Sequence, residues 1–209
     1  MIKQKSFNYQ FNNNHFNESN YFVNQTNFHA FNSIINNNSN LSFLYGPKKS
    51  GKSFLSKIWL KKNSAIELKN NYEFFLNHDV NVLIDDLLYF NQENIFHIVN
   101  NCILKNLKLL ITSRKKINEI DFKYKDLSSR LKTFSNFEIK QPDDEMLIVI
   151  LTKLLLEKQF IINTNDIFEY ILRRVERSYL GIHEIVSKLD ILSLEKKRQL
   201  TIPLIKEIL

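Results

Sequence analysis

The apolar positions of the chain fall into short blocks whose spacing changes along its length. Leu41–Tyr45 and residues 80–84 and 107–112 are compact apolar runs, the pattern of strands covered on both faces of a parallel sheet. Between them, Lys52–Lys62 has Phe54, Leu55, Ile58 and Trp59 on one helical face, and Gln92–Leu104 has helical spacing as well. Lys125–Leu131 predicts a short helix, 137–140 a terminal strand, and 65–68 and 73–76 are weaker strand candidates. Ahead of the first strand, Phe28, Phe31 and Ile35 recur at i, i+3 and i+7 and predict a short helix over 27–35. Strand and helix alternate, which predicts an α/β fold with a parallel sheet core flanked by helices.

The alternation stops at Gln141-Pro142, where proline biases the preceding residue away from helix. Everything beyond reads as helix. Asp143 or Asp144 caps a segment to 158, Thr164 caps 166–176, Ser178 or Tyr179 starts one to about 194, and Thr201 starts another with Pro203 in its first turn. The chain thus divides into an N-terminal arm over 1–40, a core over 41–142 and a small all-helical lid over 143–209. The arm holds 13 of the 27 asparagines, but also Phe7, Tyr9, Phe11, Phe16, Tyr21, Phe22, Phe28 and Phe31, too many aromatics for a solvated tail, so it should lie against the body.

Composition narrows the class further. A hydrophobic fraction of 44% with 24% charged residues is that of a globular protein. No segment reaches the roughly 20 apolar residues of a membrane span. The N-terminus has no apolar stretch or small-residue cleavage site, and the expected location is cytoplasmic. Cys102 is alone among apolar residues and reads as a small buried hydrophobe. The net charge of +7 is regional: 19 basic residues stand against 11 acidic before Pro142, and 10 against 11 from there on. The basic stretch 105–140 can attract polyanions, although a solvated lysine-rich face explains the same residues.

Only three glycines occur, and two of them lie in Gly46-Pro47-Lys48-Lys49-Ser50-Gly51-Lys52-Ser53. This stretch satisfies G-x-x-x-x-G-K-[S/T] in full, between a predicted strand and a predicted helix, as phosphate binding requires. The glycines let backbone N–H groups cradle the α- and β-phosphates at a helix N-terminus, Lys52 reaches the β- and γ-phosphates, and the Ser53 hydroxyl can coordinate Mg²⁺. A carboxylate at the end of a neighbouring strand completes such a site. Asp85 fills that role after the run 80–84, and Asp86, one residue on, can orient a water for attack on the γ-phosphate. Thr112 and Ser113 place hydroxyls at the next strand tip, where either senses phosphate or caps the turn that follows.

These residues, with Leu127-Ser-Ser-Arg130-Leu131, the following Pro142-Asp143, the segment 15–27 and the helical tail ending at Leu209, resemble the AAA+ module of the DnaA/Hda family, most of all its short Hda members. The resemblance implies a P-loop NTPase fold of the AAA+ type, ATP or ADP with Mg²⁺ as cofactors, and a segment before 27 beside the adenine. It also implies that Arg130 points from one subunit at the nucleotide of the next. Hda-like proteins act on ATP-bound DnaA together with the sliding clamp, which a short N-terminal segment contacts. Here Gln4 and Phe7, within residues 4–11, form a degenerate version of that segment. Two departures stand out: the interval from Ser53 to Val80 is short for the family, and the position of the family's lid arginine falls at Leu180, with Arg177 and His183 as poor substitutes.

The leading expectation is therefore a nucleotide-binding regulator of replication initiation that contacts the DnaA initiator, with weak or absent hydrolysis of its own. A homo-oligomer is a further assembly this implies. The chain has no residues after the lid for a helix-turn-helix DNA reader, so direct DNA binding is expected to be weak. The alternative is a DnaA-like initiator or helicase-loader ATPase that touches DNA through the basic stretch. A small-molecule kinase would need an acceptor pocket and mobile lid arginines, which Arg173 and Arg174 match poorly.

Overall fold

In a computed structural model, which describes residues 16–36, 39–69, 72–161 and 166–209, the chain forms a five-stranded parallel sheet with helices on both sides and a helical lid. The strands are β1 (Leu41–Tyr45), β2 (Ile66–Glu67), β3 (Val82–Ile84), β4 (Leu109–Ser113) and β5 (Ser135–Glu138), in the order β2-β3-β4-β1-β5. The helices are α1 (Phe28–Asn36), α2 (Lys52–Lys62), α3 (Tyr72–Asn77), α4 (Gln92–Leu104), α5 (Lys125–Leu131), α6 (Asp144–Glu157), α7 (Asp166–Leu172), α8 (Tyr179–Lys196) and α9 (Ile202–Ile205). After β1 the chain leaves toward β2, and after β4 it crosses to β5 on the other side of β1. That reversal opens a crevice at the carboxyl ends of the central strands, where open α/β sheets bind ligands.

Both faces of β1, β3 and β4 are covered, which is why these strands are continuous apolar runs. Phe43, Val82, Ile84, Leu109 and Ile111 pack against α4 and α5 on one side, through Ile95, Ile98, Val99 and Leu127. Leu44, Leu83 and Leu110 meet α1 and α2 on the other, through Ile34, Leu55, Ile58 and Trp59. Cys102 is buried as expected, and its burial pushes the thiol up to about 12. The lid has its own core, in which Leu147, Leu151 and Leu155 of α6 pack on Ile182, Ile185, Val186 and Leu189 of α8.

Several expectations shift. Residues 73–76 are helical rather than extended: only Phe75 of the run is buried, and the element stacks beside α4. A four-residue apolar run has no periodicity that separates the two states. The last strand lies two residues earlier than predicted, and α7 ends at Leu172, short of 176. The predicted helix near 27–35 forms, but its buried face is Ala30, Ile34 and Ile35, while Phe28 is exposed. Thr164 lies outside the described residues.

Candidate functional site

Register brings the predicted site residues together. Leu44 and Tyr45 of β1 lie beside Thr112 and Ser113 of β4, and Ile84 of β3 lies beside Ile111. The loop after β1, the Asp85-Asp86 pair after β3 and the tip of β4 therefore meet at one edge. The Gly46 amide donates to the Ser113 carbonyl at 3.3 Å. A Cβ on Gly46 would stand 2.5 Å from the Ile139 carbonyl oxygen, so any side chain would push the loop off the sheet. Gly51 opens α2 with a left-handed φ of 87°, which a side chain would strain. Lys49 is also left-handed, at φ 67°. Pro47 is half-buried, Ser50 buried, and Lys48, Lys49 and Ser53 exposed.

Lys52, in the first turn of α2, is buried by the loop it serves. Its Nζ donates to the carbonyls of Gly46 (2.9 Å) and Pro47 (2.6 Å), with Ser50 Oγ at 3.4 Å. Burial lowers its pKa to about 8, against a pull upward from Asp86, with Arg114 pushing it down and Asp85 pulling it up. A phosphate would offer this ammonium charged acceptors in place of carbonyls, and charge-assisted bonds are about twice as strong.

The two carboxylates are held differently. Thr112 Oγ1 donates to Asp85 Oδ1 at 2.7 Å and accepts the Asp86 amide at 2.8 Å, so this fully buried hydroxyl fixes both positions at once. Ser113 Oγ accepts the Lys115 amide at 3.1 Å, which is the turn-capping alternative. Asp86 has a left-handed φ of 65°, and its Oδ2 lies 2.7 Å from Arg114 Nε. Its Oδ1 is buried with no hydrogen-bond partner. The Asp85 carboxylate and the exposed Ser53 hydroxyl are hard oxygen donors, of the kind that suits Mg²⁺ and its water shell. The sequence gives no sign that Arg114 belongs to the site, because beside Lys115 and Lys116 it reads as part of the basic stretch 105–140.

The other end of the crevice is mostly apolar. A cavity of about 220 Å³ lies between arm, α2 and lid, lined by Tyr21, Phe54, Met146, Ile150, Tyr179 and His183 next to Lys49, Ser50 and Gly51. It suits a flat base more than a whole nucleotide. Tyr21 stacks on Phe31 with ring centroids 5.5 Å apart, and burial raises its pKa. His183 is half-buried, and its pKa is lowered by burial first and then by Lys49 and Lys153. Leu180 is half-buried in the first turn of α8, while Arg177 is exposed and ion-paired with Asp144. Of the two substitutes for the lid arginine, His183 faces the cavity.

Asp143, which sequence reading offered only as a helix cap, does more. It accepts the Met146 amide at 2.8 Å as the N-cap of α6, and it also accepts Asn24 Nδ2 (2.8 and 3.0 Å) and Gln25 Nε2 (3.0 Å). The arm is thereby tied to the junction of core and lid. Arg130 is exposed on α5, its guanidinium 5.7 Å from the Phe96 ring centroid, and does not line the cavity of its own chain. Gln4 and Phe7 lie outside the described residues.

Comparison with known proteins bears on this arrangement. A family model described as "Hda, lid domain" matches residues 144–209. The chain is 29% identical over 155 residues to the chromosomal replication initiator protein DnaA of Buchnera aphidicola subsp. Cinara cedri (strain Cc), an alignment covering 72% of this chain and 34% of that protein. The chain thus spans about a third of the curated relative it matches. Domain III of the Thermotoga maritima replication initiation protein DnaA superposes with a TM-score of 0.76 at 16% identity, covering 93% of this chain and 95% of that one. AMPPCP-bound DnaA from Aquifex aeolicus superposes with a TM-score of 0.62 at 19% identity, covering 84% and 64%. A replication initiator DnaA bound to AMPPCP and single-stranded DNA gives 0.64 at 19% identity, covering 85% and 66%. No helix among the described residues is long and apolar enough to cross a membrane. The chain is thus similar to the Hda lid over 144–209 and to the initiator DnaA over 155 residues, and it has the fold of DnaA domain III.

Proposed function

We propose that the chain binds ATP or ADP with Mg²⁺ and acts as an Hda-like regulator of replication initiation, promoting ATP hydrolysis by DnaA together with the sliding clamp. The regulator reading is carried by the match of the whole lid, 144–209, to the Hda lid. The loop 46–53 would hold the phosphates, Lys52 would exchange its loop carbonyls for phosphate oxygens, and Ser53 and Asp85 would hold Mg²⁺, which neutralises phosphate charge when bound. The aromatic and apolar cavity would take the base. Arg130, which is exposed on α5, would reach the nucleotide of DnaA in the contact and supply the arginine that stabilises charge developing on the γ-phosphate. Residues 4–11, with Gln4 and Phe7, would contact the clamp.

The deciding experiment mixes the full chain with DNA-loaded clamp and ATP-DnaA and follows DnaA turnover. Stimulation that Arg130→Ala abolishes is expected; unchanged turnover with the wild-type chain overturns the regulator reading. The initiator or loader alternative is favoured by the similarity to an initiator and by the exposed Lys105, Lys115 and Lys116 within the basic stretch. Salt-sensitive DNA binding by the isolated chain at moderate salt would favour it, since phosphate contacts release counterions.

A further inference from the structure

Asp86, Arg114 and Tyr89 form a cluster at the crevice that the proposed function does not use. Asp86 is held on three sides. Its amide donates to Thr112 Oγ1, its carbonyl accepts the Tyr89 amide at 3.1 Å, and its Oδ2 is paired with Arg114 Nε. Arg114 is in turn splinted by Tyr89, whose hydroxyl accepts from its guanidinium and whose ring lies 5.0 Å below it. Tyr89 belongs to the 3-10 turn Leu87–Tyr89 that starts immediately after Asp86, so the contacts close a ring. The Asp86 side chain is 16% exposed and that of Arg114 35%, so the pair is partly shielded and stronger than an open surface pair.

We infer that Arg114 is a positioning residue that restrains ATP hydrolysis by this chain, holding the Asp86 carboxylate on the β4 side and away from the attacking water. The inference rests on reading the crevice as a nucleotide site. In hydrolysis a water oxygen bonds to the γ-phosphorus while its bond to the bridging oxygen breaks, releasing ADP and phosphate, and a carboxylate takes or orients the water's proton. An Asp86 with one oxygen on a guanidinium and the other enclosed is tied down for that task. The chain would then keep its triphosphate long enough to meet a partner.

The test compares full-length wild type, Arg114→Ala, Tyr89→Phe, Asp86→Asn and the double variant Asp86→Asn/Arg114→Ala. Affinity is read with fluorescent ADP and with AMPPCP, and hydrolysis as single-turnover ATP cleavage. The expected result is a rise of about fivefold to tenfold in cleavage for Arg114→Ala, with ADP affinity within about twofold of wild type. Tyr89→Phe, which loosens the splint and leaves the ring, should give a smaller rise. The gain should vanish in the double variant, because the effect runs through Asp86. Unchanged or slower cleavage in both single variants overturns the inference. So does AMPPCP affinity that falls in Arg114→Ala while ADP affinity holds, which would make Arg114 a γ-phosphate ligand. Failure of the wild type to bind ADP would instead sink the nucleotide reading itself.

Discussion

At the phosphate end of the crevice, polar side chains hold the backbone and one another: Lys52 the loop carbonyls, Thr112 the Asp85 carboxylate and the Asp86 amide, Arg114 the Asp86 carboxylate. At the base end the walls are mostly apolar or aromatic and come from remote parts of the chain, Tyr21 from the arm, Phe54 from α2, Met146, Tyr179 and His183 from the lid. The first end is specified by chemistry that tolerates few residue types. The second is specified by shape, and many apolar sequences would fill it.

If that contrast is sound, substitutions at the two ends should separate charge recognition from enclosure. Lys52→Ala should have the largest effect, about 100-fold weaker ADP binding, roughly 3 kcal/mol, with adenosine binding little changed. Titration with both ligands checks it, and an equal loss for both would break the distinction. The same lysine gives a pH signature. Its pKa of about 8 means that the free site loses its ammonium above that pH, so ADP affinity should fall by up to about tenfold per pH unit from there.

At the other end, Asp143→Ala removes the α6 cap and the anchor of Asn24 and Gln25. The expected cost is about 1–2 kcal/mol of folding stability, measured by denaturant unfolding, with adenosine and ADP affinity falling together. The smallest effect belongs to His183. Burial keeps its folded pKa below the ordinary 6.5, so as pH falls the unfolded chain takes up the proton first. Its contribution is intact above 6.5 and is lost as pH falls through the folded value; His183→Gln should flatten that acid arm of the stability curve.

The same contrast explains what was legible in the sequence. Gly46, Gly51, Lys52 and Asp85 could be read from one dimension because their spacing is fixed by the turn and the strand ends they occupy. Strands β1, β3 and β4 could be read because burial on both faces leaves continuous apolar runs. Residues 73–76 could not, since a short apolar run serves strand and helix alike. Nor could the bond of Thr112 to both aspartates, which depends on β3 and β4 being neighbours, or the pairing of Arg114 with Asp86, which depends on a left-handed turn after β3. Asp143 showed its local role in the pattern around α6, but its tie to Asn24 spans 119 positions and leaves no periodic trace.

The sheet's two outer strands have a further bearing. β2 is two residues long, and β5 alternates half-buried Ser135 and Phe137 with exposed Asn136 and Glu138. Neither offers the long, flat, apolar border on which another chain could add a strand, so a protein this rich in phenylalanine is shielded from edge-to-edge aggregation by how its sheet stops.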